Sequence, residues 1–106
     1  MNEEFSRERF AGALGSKFTL HAAEEKTVEI ELIEVSDTRE RPNQVSFSIV
    51  FLLPEFYNAE QGLYDLTHDE LGAFQIFLVP IGSGKRGAML EAVFNFLRTE
   101  PAETNG

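Results

Sequence analysis

From Lys17 onward, apolar residues return at every second position in one run after another, and this period constrains the fold more than any other feature. In VSFSIVFLL (45–53), Val45, Phe47, Ile49, Phe51 and Leu53 alternate with Ser46 and Ser48. Successive side chains of a strand point to opposite faces, so the pattern spells a half-buried β-strand. KFTLHA (17–22) alternates Phe18 and Leu20 with Thr19 and His21, and TVEIEL (27–32) sets Val28, Ile30 and Leu32 against Glu29 and Glu31. The phase then slips, because Ile33 and Val35 continue the apolar series on the other parity. That slip predicts a β-bulge or sharp bend near Leu32–Ile33.

Tyr64 and Leu66 mark a shorter strand after Gly62. AFQIFLVPI (73–81) is apolar on both parities, which predicts a strand covered on both faces, with Pro80 at its end or on an unpaired edge. AMLEAVFNFLR (88–98) has the composition of a helix, yet Leu90, Ala92, Phe94 and Phe96 alternate as in a strand. Only FSRERFAGALG (5–15) has the grammar of a helix. There Ser6 serves as N-cap, Phe5 packs on Phe10 as a staple, Phe10, Ala13 and Leu14 share a face, and Gly15 supplies the stop. The expected fold is mainly β: a small antiparallel six-stranded barrel or roll, connected as a meander, with one short N-terminal helix. Closure protects strand edges, and Phe18, Val28, Ile30, Phe47, Phe51, Ile76, Phe94 and Phe96 are bulky enough to fill such an interior.

The 106 residues make one domain, read as 1–98 followed by a polar tail, TEPAETNG, over 99–106. The absence of Cys excludes disulfides and Cys-based zinc sites. MNEEFSRERF has no apolar signal region, and no apolar run approaches the roughly 18–20 residues of a membrane-spanning helix, so a soluble, cytoplasmic protein without a membrane partner is expected. Net charge is −9, and between Arg41 and Lys85 there is no Lys or Arg, while Glu55, Glu60, Asp65, Asp69 and Glu70 all fall there. Such a surface repels phosphate backbones and argues against nucleic acid as a partner.

IGSGKRG (81–87) resembles a phosphate-binding loop, but Arg86 stands where Ser or Thr must follow the Lys, and Val79 occupies the position of the first Gly. A nucleophile elbow fails as well, because Ile81 and Lys85 sit where G-x-S-x-G needs Gly. The stretch reads as a turn between strands. His21 and His68 are the only histidines; THDE (67–70) sets His68 beside Asp69 and Glu70, which reads as a turn rather than a converging metal set. Glu29 and Glu31 share a strand face in the manner of solvated acids. No catalytic, metal-binding or cofactor-binding residues are assigned. PEFYNAEQG (54–62) is a longer connection than a tight hairpin requires, and it places Phe56 and Tyr57 between Glu55 and Glu60. These four residues are the expected partner contact, aromatic anchors within an acidic rim.

QGLYDLTHDELGAFQIFLVPIG followed by EAVFN resembles the signature of a family of small bacterial proteins of unknown function, in which Q-G-x-Y-x-L-x-H leads to L-G, F-L-V-P-x-G and a closing E-A-V-F-N strand. FAGALGSKFTL, VEIELIEV and FSIVF resemble it too, in order, so the likeness covers most of residues 5–97; Leu90 stands where an aromatic is expected. The resemblance implies a strand over 88–97, supplies no catalytic or ligand residues, and implies a setting near phage-tail-like or tail-collar genes. The expected function is a non-enzymatic interaction or assembly protein, with a protein partner or self-association. The alternative is a small-molecule-binding β-barrel.

Overall fold

The computed structural model describes residues 7–22, 25–53, 60–84 and 87–97. Within them the chain forms α1 (Arg7–Gly12), β1 (Lys17–His21), β2 (Thr27–Val35), β3 (Arg39–Arg41), β4 (Gln44–Leu52), β5 (Gly62–His68), β6 (Gly72–Gly84) and β7 (Gly87–Leu97). The ambiguous last segment is a strand, and every pairing is antiparallel.

Six strands close a barrel in the ring order β1-β2-β4-β7-β6-β5, with β3 added against the edge of β4. The barrel expected from the pattern is therefore present, but its connectivity is not one continuous meander. β1, β2 and β4 form one three-strand run, β5, β6 and β7 form another, and β4 stands opposite β5 in the ring. The slip in β2 is a bulge: the register against β4 shifts between Leu32 and Glu34. This lets Leu32 stay buried while Ile33 and Val35 are half-buried. Beyond it the chain detours at residues 36–38 and returns as β3, all of whose residues are exposed. Arg39, Glu40 and Arg41 carry no apolar alternation, so no sequence signal marked this strand; charged residues suit a sheet edge.

The interior holds Phe18, Leu20, Ile30, Leu32, Phe47, Ile49, Phe51, Leu66, Ile76, Leu78 and Leu90, with Val28, Phe94 and Phe96 packed partly buried against them. β6 departs from expectation. Ile76 and Leu78 are buried, whereas Phe77 and Ile81 are largely exposed, so this strand is covered on one face only. Its outward residues meet β5 and β7 side by side in the sheet, and nothing among the described residues is layered over them. Pro80 sits where the ladder to β5 has ended at Leu78, opposite Leu90 and next to a register shift against β7, a place where its missing N–H costs little.

Phe10 projects from α1 into one end of the barrel, fully buried, with its ring centroid 5.5 Å from Phe94, 6.1 Å from Phe74 and 6.3 Å from Phe47. Ala13 is buried beside it, but Leu14 is 53 % exposed and does not share that face. The helix stops at Gly12, and Ala13 and Leu14 donate to the carbonyls three residues back, so the tightened turn swings Leu14 outward. Gly15 then takes φ +86°, a left-handed conformation suited to Gly, and its N–H reaches the Leu32 carbonyl at 2.8 Å. Phe5, Ser6 and the tail 99–106 lie outside the described residues.

Candidate functional site

Of the four residues expected to contact a partner, Glu55, Phe56 and Tyr57 lie outside the described residues. Glu60 is described and exposed, and its backbone carbonyl accepts the Tyr64 hydroxyl. That bond ties the start of the strand to the segment entering it.

The stretch after Glu60 carries the more informative surface. On β5, Leu63, Asp65 and Thr67 face away from the core, while Leu66 is buried within it. The register sets Leu63 directly across from Phe77, Asp65 across from Gln75 and Thr67 across from Ala73. Leu63 is 61 % exposed and Phe77 51 % exposed. An apolar cross-strand pair in open solvent is unlike the Asp65–Gln75 pair beside it, and large exposed apolar groups placed side by side mark contact surfaces more often than single ones do. Val79, the next outward residue of β6, is half-buried and pairs with Glu91. The sequence hides this pair, because a run apolar on both parities, as in 73–81, predicts two covered faces. The available signal was Leu63, the one apolar residue on the parity of Asp65 and Thr67.

His68 and Ser16 come together although 52 positions separate them, with Ser16 Oγ 2.9 Å from His68 Nε2. A Ser–His contact invites comparison with a nucleophile and its base, and the surrounding bonds decide the protonation pattern. His68 Nδ1 accepts the backbone N–H groups of Glu70 at 3.0 Å and Leu71 at 3.1 Å, so it carries no proton. In the neutral ring the proton is then on Nε2, which donates to Ser16 Oγ, and that hydroxyl donates to the Ala13 carbonyl. A base for Ser needs the opposite tautomer, held by an acceptor at Nδ1–H. The ring also lies 4.3 Å from that of Phe18. This is the wiring of a pin joining the end of β5 to the turn between α1 and β1. Replacing His68 by Ala is expected to lower stability by about 0.5–1.5 kcal/mol, because two exposed or half-buried backbone donors exchange their acceptor for water. Urea unfolding measures it, and an unchanged midpoint would remove the pin from the account.

The two histidines do not converge. His21 is exposed on the outer face, within 3.1 Å of Thr67 Oγ1, and no group of three His, Cys, Asp or Glu that could hold a metal occurs among the described residues. On the outer face of β2, Glu29 is exposed and Glu31 half-buried. Residues 81–84 end β6, and Gly84 pairs with Gly87, so the glycine-rich stretch links two strands where a phosphate-binding loop would open a helix; Lys85 and Arg86 lie outside the described residues. A groove of about 220 Å³ lies where the chain detours between β2 and β3, bordered by Ser36, Arg39, Ser46, Ser48 and Glu91. Ser36 is already engaged there, its Oγ accepting the Ser48 N–H at 2.9 Å.

Comparison with known proteins found one family model, described as a domain of unknown function (DUF6916), matching residues 5–94. No curated protein and no solved structure matches the chain.

Proposed function

The chain belongs to the DUF6916 family, whose function is unknown, and from that premise we propose that it is a non-enzymatic interaction or assembly module. The observation that carries this reading is the exposed Leu63–Phe77 pair on the outer face of the β5–β6 hairpin. Two large apolar side chains left side by side in water contribute little to folding, and covering them with a partner removes that apolar surface from solvent. The acidic segment 54–62 enters the same strand, which sets the expected contact residues Glu55, Phe56, Tyr57 and Glu60 next to this pair in the chain. A place in a phage-tail-like or tail-collar assembly belongs to the same proposal and rests on the sequence resemblance alone.

A small-molecule barrel is the weaker reading, because the described interior is filled by apolar side chains, with Phe10 seated in one end. The test compares the wild type with the Leu63→Ser, Phe77→Ser double variant in pull-downs from the native cell, read by mass spectrometry. A protein captured specifically by the wild type and lost by the variant is the expected result. The double change is expected to lower stability by about 1 kcal/mol or less, since both residues are exposed and only a cross-strand contact is lost. Equal capture by both proteins, or a variant that no longer folds, would remove this face from the proposal.

A further inference from the structure

The charged side chains of β5, β6 and β7 among the described residues are carboxylates, Asp65 and Glu91. Asp65 is exposed two residues along β5 on the same face, Glu60 is exposed just before the strand, and Glu91 faces Val79 across the β6–β7 ladder. The described residues of β5, β6 and β7 include no Lys or Arg. Among the described residues, Arg39 borders the same groove as Glu91, and the β1–β2 hairpin carries Lys17, across from Glu31, and Lys26, in the turn into β2. Two copies meeting through this face would bring carboxylate against carboxylate, on molecules that each carry a net charge of −9. The complement of an apolar anchor inside a carboxylate rim is an apolar side chain with basic neighbours.

Resting on the interaction reading of this face, we infer that its occupant is a basic protein segment, with an apolar side chain over Leu63 and Phe77 and Lys or Arg against Asp65 and Glu60. The apolar contact holds the complex, while the rim sets orientation and speeds encounter. Rim charges are solvent-exposed, so salt screens their share of the affinity.

The experiment titrates ¹⁵N-labelled protein with two capped peptides, one alternating Lys with Val, Phe and Val, the other carrying Glu at each Lys position. The Lys peptide is expected to saturate, to shift the amide signals of Leu63, Asp65 and Phe77, and to lose affinity by about tenfold from low to physiological salt. The Leu63→Ser, Phe77→Ser variant abolishes saturation. The Glu60→Gln, Asp65→Asn variant keeps its melting temperature and loses most of the salt dependence. Equal binding of the two peptides overturns the basic partner, as does Lys-peptide binding that persists in the serine variant, or binding of neither peptide. Wild-type self-association in sedimentation, abolished by the serine variant, overturns it too by making a second copy the occupant. In each of these cases the interaction reading of the face is decided separately, by whether native-cell capture depends on Leu63 and Phe77.

Discussion

Replacing Phe10 by Ala lowers the stability of the domain by about 3–5 kcal/mol, the range for deleting a buried aromatic ring, and the urea midpoint falls accordingly. The ring is fully buried at the barrel end and approaches Phe47, Phe74 and Phe94, which lie on three different strands. Its loss leaves a cavity that those neighbours cannot collapse into without leaving their own ladders. Phe10 also anchors α1, which is only six residues long and too short to be stable alone, so helicity and barrel packing should be lost together. Leu14→Ala, four residues further on and exposed, is the matched control and should change stability by at most about 0.5 kcal/mol. A Phe10 variant that unfolds at the wild-type urea midpoint would show that the helix is not part of the cooperative core.

Phe47→Ala is expected to cost about 3–5 kcal/mol as well. This residue is 4 % exposed, and its ring lies 4.9 Å from Phe94 and 6.2 Å from Phe96. β4 is paired along its whole length with β7, so the backbone around Phe47 has little freedom to close the space. Val93→Ala, on the outer face of β7 and 58 % exposed, should by comparison have a small effect. Phe10 and Phe47 touch, so their effects are not independent, and the double variant should lose less than the sum of the single losses. Full additivity in that cycle would mean that the two rings stabilise the domain separately, and the picture of one aromatic cluster would fail.

The proposed interaction surface is only partly legible in the sequence. Asp65 and Glu60 belong to an acidic stretch without cations, but their meaning depends on Phe77, which the pattern of 73–81 places on a covered face. The pairing that makes Leu63 and Phe77 neighbours is fixed by the β5–β6 register, through a turn that closes at Gly72 with φ +82°. The Ser16–His68 pin joins positions 52 residues apart, and no local motif announces such a contact.

The amino-acid order by itself determined which segments extend and which face of most of them is apolar, because a period of two admits one way of burying Phe18, Leu20, Ile30, Phe47, Ile49 and Phe51 together. It determined the bulge in β2 for the same reason, since apolar residues on both sides of a phase slip stay near the core only if the strand gains a residue. Tertiary structure alone decided the order of the strands around the ring, the existence of β3 and the exposure of Phe77. A run apolar on both parities records that both faces tolerate apolar side chains. Whether the second face is covered depends on which elements are packed against it, and for β6 the neighbours stand beside it in the sheet and not above it.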